Sequence, residues 1–433
     1  MKSSPSLMTW FLSLLACAGL FAFSSVSVGA AAEHDTAAPT VHTDASTATT
    51  NTPEGTSDHH EAAPPSLGQQ FLYSYLTAYM FCLSIVMGCF FLVLIHHMFD
   101  AAWSVPIRRV TEQVACLIPV LGLLALPLLI FAPSVFPWMN IDPATDHALN
   151  VKKAWFNRPV WTVILALIFS LWTFMAFRFR SWSIAQDKDG AAIWTRKARV
   201  QAAWGIFVFA FTLTAVCFSL MKSLQYQFFS TMYGVYYFAG SVWTTLITMY
   251  VVTLWLSQPG RPLEKVIFYR QKHDLAVLFF GFTVFYAYIH FSQYFLIWNA
   301  AMPEETFWYV DRERGSWKWV GMLILFGHFI VPFVILLNQD IKHNLAVMLP
   351  IAVWAWLMHY VDMTFNVMPV LYPRGLHLTL LDPLCWFGMV VFLGGVFWKN
   401  YLKAAPYPLK DPRLLEAITH HEIPAASQPA AHR

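Results

Sequence analysis

Nine apolar runs, each long enough to cross a bilayer, constrain this chain more than any other feature. They lie near 70–97, 110–132, 159–178, 199–220, 235–256, 274–299, 318–338, 345–361 and 382–400. A spanning helix needs roughly 20 mostly apolar residues, because the hydrocarbon core is about 30 Å thick. Barrel strands would alternate in polarity over about ten residues, and these runs do not. Only 12% of residues are charged while 58% are hydrophobic, too few charges to keep a soluble chain of 433 residues in water. The reading is an all-α polytopic membrane protein with nine spans after residue 69. Pro119, Pro127, Pro332 and Pro350 fall inside the runs and predict kinks, since neighbouring helices re-satisfy the freed carbonyls.

The side of each loop follows from its Lys and Arg content. Most of these residues fall in alternate gaps, including Arg108, Arg109, Arg178 to Arg199, Arg261 to Lys272, Lys342 and Lys399 to Arg413. Those gaps are expected in the cytoplasm, with the tail 401–433 among them. Residues 33–69 and the loop 300–317 are then outside. Trp103, Trp138, Trp155, Trp182, Trp255, Trp298, Trp308, Trp317 and Trp398 sit at run ends, as an interfacial aromatic belt would. The formal charge of +3 and the lack of a basic patch with interleaved aromatics give no nucleic-acid partner.

Residues 1–32 hold Lys2, an apolar stretch from Leu7 to Val28 and then Gly29-Ala30-Ala31-Ala32. They read as a secretory signal or an uncleaved first helix. Residues 33–69 are rich in Ala, Thr, Pro and His and cannot bury enough surface to fold alone, so they read as a disordered external linker.

All six cysteines lie in apolar runs, and the chain has no C-x-x-C, haem-attachment or iron–sulfur spacing. No metal and no cofactor bound by this chain is therefore expected. His96 and His97 lack partners at matched depth for a bis-histidine haem. The informative groups are ionisable residues inside the runs, where a charge costs roughly 2.5–3.5 kcal/mol at mid-bilayer. Glu112, Gln113 and Asp274 start runs on the cytoplasmic side. His290, Gln293, His328, His359 and Asp362 fall toward the outer half. His359 and Asp362, three residues apart, are the candidate proton-accepting pair, since a carboxylate beside a histidine stabilises the imidazolium. His290, Gln293 and His328 either meet a small hydroxylated molecule or serve as polar glue between helices. The loop 300–317 sets Glu304, Glu305, Asp311, Arg312, Glu313 and Arg314 beside Phe307, Trp308 and Tyr309, a mixture suited to docking a partner.

Several segments together resemble a known family. They are His273-Asp274-Leu275, Phe285-Tyr286-Ala287-Tyr288-Ile289, Phe291-Ser292-Gln293-Tyr294-Phe295-Leu296-Ile297-Trp298 and Pro303-Glu304-Glu305-Thr306. Trp103-Ser104-Val105 with Arg108-Arg109, Lys342 with Asn344, and Met358-His359-Tyr360-Val361-Asp362 with Met368-Pro369 agree. Over about residues 70–400 the chain resembles the ActF-type integral membrane subunit of alternative complex III, a bacterial quinol:electron-acceptor oxidoreductase, in the NrfD/PsrC-like group. The resemblance implies two four-helix bundles, at 70–220 and 235–361, and a closing helix at 382–400, with the N-terminal run as an extra helix. It implies partner subunits that carry haem c and iron–sulfur centres, menaquinol or ubiquinol as the small molecule, and a place in the bacterial inner membrane. The signal-like start and the His/Thr/Ala linker depart from that pattern. A secondary transporter, with helices broken by proline in two halves, and a scaffold with no site of its own are the other readings.

Overall fold

Why the runs become helices is visible at their ends. Ser66 caps the first one, its Oγ accepting from Gln69 N at 3.2 Å while Gln69 Oε1 accepts from Ser66 N at 3.1 Å. The computed structural model describes residues 65–419. The expected signal-like run 1–32, nearly all of the linker and the end of the tail lie outside the described residues. Among the described residues there are nine helices long and apolar enough to span a membrane, and no strand. The chain is an all-α, multi-pass integral membrane protein.

The spans are α1 (Leu67–Met98), α2 (Ala102–Ile130), α3 (Arg158–Asp189), α4 (Ala192–Leu220), α5 (Tyr233–Leu256) and α6 (Tyr269–Ala300). A short helix, α7 (Pro303–Glu313), precedes α8 (Trp317–Leu336), α9 (Leu345–Val367) and α10 (Leu381–Tyr401). Two helices sit at the centre. The most apolar stretch of α1 is 89% buried and that of α5 78%, against 22% for α10. α1 packs against α2, α4, α5, α9 and α10, and α5 against α4, α6 and α9. Apolar contact gives little drive between helices in lipid, so close approach matters more. Gly88 on α1 supplies it. A Cβ there would lie 2.1 Å from Thr245 Oγ1 and 2.6 Å from the Ser241 carbonyl of α5.

Proline acts as expected in kind, and more strongly in α2. That span is a chain of short helices, Val105–Ala115, Ile118–Leu124 and Leu126–Ile130, with Pro106, Pro119 and Pro127 in their first turns. It also begins earlier than its apolar run. Arg108 and Arg109, expected in a cytoplasmic gap, are buried on Val105–Ala115. They are buried because each has acidic partners. Glu112 lies 3.5 Å from Arg108 Nε, 3.9 Å from Arg109 Nε and 3.6 Å from Arg180 Nη1. Arg109 reaches Asp187 at 2.6 Å, and Arg108 binds Asp411, which comes back from the tail with Arg413 at 3.0 Å.

Two other expectations change. The run 345–361 continues as helix to Val367, so Asp362 lies within α9 rather than at its end. Trp138, Trp308 and Trp317 are buried core residues and not members of a surface belt. The expected docking loop is mostly α7, and its anchors face inward. Trp308 and Tyr309 are buried, and Arg312 lies 3.6 Å over the Trp308 ring. Arg312 donates to the carbonyls of Trp308 and Phe365 at 2.9 Å and of Asn366 at 3.1 Å, and to Gln225 Oε1 at 2.9 Å. Cation–π contact and the carboxyl-terminal carbonyls of α9 hold this cation.

Candidate functional site

The site grows from one face of α9. His359 and Asp362 are three residues apart on continuous helix, so they share that face. Both are buried, at 0% and 1% exposure, as is His328 on α8 at 0%. One ligand-type atom from each of His328, His359 and Asp362 falls within 4.8 Å of the other two.

Each side chain is held differently. His359 meets α1, where Ser84 Oγ lies 2.9 Å from its Nε2 and the Phe81 ring centroid lies 5.5 Å away. Asp362 accepts a hydrogen bond at Oδ1 from the Tyr236 hydroxyl of α5. That hydroxyl accepts in turn from Asn366 Nδ2 at 3.0 Å. Asn366 also donates to the Asp362 carbonyl at 2.8 Å and receives the Tyr233 hydroxyl at 2.8 Å. His328 is clamped between two rings, those of Trp243 on α5 and Tyr286 on α6, each 3.8 Å centroid to centroid.

His328 occupies a π-turn, Ile324–Ile330, in which Val331 N–H reaches back five residues to the Phe326 carbonyl. Pro332 has no N–H for the carbonyl four residues back, that of His328, so the ordinary α register fails here. Such turns recur at functional sites.

Among the described residues, four polar atoms at the centre have no partner at full hydrogen-bond geometry: both ring nitrogens of His328, Nδ1 of His359 and Oδ2 of Asp362, whose carboxyl is also approached by the Tyr286 hydroxyl. Buried polar atoms are nearly always paired, and inside a membrane each orphan is costly. Groups held at fixed positions with free lone pairs are those a proton or a small hydroxylated molecule would engage. The same three side chains also lie close enough together for one ligand atom from each to meet a single metal ion.

The other candidate residues divide. His290 borders the cluster, with Nδ1 3.4 Å from the Tyr286 hydroxyl and its ring 5.4 Å from that of Tyr236. Gln293 stands apart as glue between helices, accepting from Ser230 at 2.9 Å and donating to the Tyr309 hydroxyl at 3.1 Å. Ser84, Tyr233, Tyr236, Tyr286 and Asn366 were missed from the sequence. A hydroxyl inside an apolar run carries no charge and commonly bonds its own helix, so only Asn366 carried any signal. No protein-family model and no curated protein matches the chain.

Proposed function

We propose that this chain is the integral membrane subunit of a bacterial respiratory complex that oxidises a quinol, and that the cluster around His359 and Asp362 takes up its protons. The observation that carries this is the convergence of three buried ionisable side chains from two helices, with unpaired acceptor atoms on each. Oxidation of one quinol releases two protons and two electrons. His359, Asp362 and His328 offer acceptors for the protons, while Tyr236 orients the carboxylate. The chain has no ligand spacing for haem or iron–sulfur clusters, so the electrons pass to redox centres on partner subunits. The Lys- and Arg-rich side is the cytoplasmic one by its charge. The cluster then lies toward the outer face, and protons released there leave outward. The resemblance over residues 70–400 is the support for the quinol and the partner subunits, and the clustering of His328, His359 and Asp362 is the support for the proton site.

A secondary transporter is the second reading, favoured by one observation: α2 is broken and α8 carries a π-turn, as discontinuous helices in transporters are. Menaquinol binding to the purified chain, alone and with co-purifying subunits, separates the two. The proposal expects saturable binding that His359→Phe weakens, together with co-purification of haem- and iron-containing proteins. Absence of both contradicts it.

A further inference from the structure

A serine hydroxyl has one hydrogen to give. Ser84 Oγ lies 2.7 Å from the Phe81 carbonyl, which can only accept, and 2.9 Å from His359 Nε2. The hydrogen of Ser84 is therefore committed to Phe81, and Oγ is left to accept. For the second contact to be a hydrogen bond, His359 must supply the proton from Nε2. The neutral ring then carries N–H at Nε2 and its lone pair at Nδ1, the nitrogen with no partner.

The groups facing this ring do not change that assignment. Asp362, on the same helix, receives the proton of Tyr236. On α6, the Tyr286 hydroxyl lies 3.4 Å from His290 Nδ1 and also approaches the Tyr236 hydroxyl and the Asp362 carboxyl. The His328 ring of α8 is 6.3 Å away, centroid to centroid, inside its clamp. On α5, Gly240 leaves the Nδ1–Cε1 edge clear, since a Cβ there would stand 3.0 Å from Cε1 and 3.5 Å from Nδ1.

We propose that Ser84 is a positioning residue that fixes His359 in the Nε2–H tautomer, so that Nδ1 is the atom that accepts the proton. The uptake balances simply. One proton adds to Nδ1, the ring goes from neutral to a single positive charge, and the carboxylate of Asp362 lies on the same helix face to stabilise it. The acceptor half of this statement rests on the proton role proposed above; the tautomer half does not, and the test separates them.

The purified full-length chain, labelled with 15N-histidine and held in lipid nanodiscs, is measured by solid-state NMR near neutral pH. His359→Phe identifies the resonance. The wild type is expected to show Nε2 protonated and Nδ1 bare. Ser84→Ala, which removes the acceptor, should let the Nδ1–H form appear, and Ser84→Thr should restore the original spectrum. Nδ1–H in the wild type, or an unchanged tautomer in Ser84→Ala, overturns the proposal. In the assembled complex, Ser84→Ala should lower quinol turnover at least tenfold and shift its pH profile with little change in KM, and Ser84→Thr should recover both. The expected tautomer shift with unchanged turnover and pH profile would overturn the acceptor role of Nδ1 and leave the positioning by Ser84 standing. If Ser84→Ala does not assemble, the wild-type tautomer and the Ser84→Thr profile decide.

Discussion

Arg312→Ala is the most informative single perturbation outside the spans. The side chain is 2% exposed and makes four hydrogen bonds of 2.9–3.1 Å, three of them to backbone carbonyls. Burial pushes its pKa down to about 10, and it still carries its charge near neutral pH. Hydrogen bonds from a charged donor contribute roughly 1.5–3 kcal/mol each, and the stacking on Trp308 about 2 kcal/mol. Removing a desolvated guanidinium recovers much of that sum, so a net loss of about 3 kcal/mol is expected. At about 2 °C per kcal/mol for a large chain, the Tm should fall by about 6 °C. Arg312→Lys keeps the charge and loses the fork, so it should fall by about half as much. The assay is thermal unfolding of the purified chain in detergent at one fixed scan rate, because unfolding of such chains is often irreversible. A solvated loop arginine would change stability by less than about 0.5 kcal/mol. A Tm drop under about 1 °C for Arg312→Ala would therefore refute the inward reading of α7 and return Arg312 to the surface.

Three further outcomes follow from named contacts. Burial alone would raise the pKa of Asp411, but the guanidinium groups of Arg108 and Arg413 hold it well below the usual carboxylate range. Its stabilisation is therefore present above the unfolded value of about 3.9 and is lost as pH falls through the folded one. Asp411→Asn should cost about 3 kcal/mol near neutral pH and flatten the acid limb of a Tm–pH curve; an unchanged limb contradicts the pairing. Gly88→Ala should cost about 1–3 kcal/mol in thermal unfolding. Adding Thr245→Ala should not restore it, because the Ser241 carbonyl remains 2.6 Å from the new Cβ; full rescue would show that the helices do not cross so closely. Because three described spans, α8, α9 and α10, separate α7 from the tail, reporter fusions at residues 310 and 415 should fall on opposite sides of the membrane, and the same side for both would break the topology.

Span number and class were legible because roughly 20 apolar residues in a row have one stable form in lipid. Span ends were less so, because hydropathy treats an arginine as a boundary. Arg108 and Arg109 are paired with Glu112, Asp187 and Asp411, and Asp411 lies some three hundred residues away in the chain. No local window contains that compensation. The same blindness placed Trp308 and Arg312 on a docking surface. The candidate site was half legible. His328, His359 and Asp362 stand out as ionisable groups in apolar runs, and their spacing on α9 follows from helix geometry. Their surroundings come from α1, α5 and α6, and Ser84, Tyr236 and Tyr286 have nothing local to mark them. The π-turn that presents His328 had a sequence cue in Pro332, which the sequence reading took for an ordinary kink.

The most direct measurement of the central claim is the pH profile of quinol oxidation by the assembled complex carrying His359→Phe or Asp362→Asn. Each variant is first shown to assemble by co-purification of its partners. Turnover should slow by about 10²-fold or more, as on loss of a general base, with a displaced or abolished pH optimum in both. Full turnover with an unchanged pH profile in both assembled variants would contradict it.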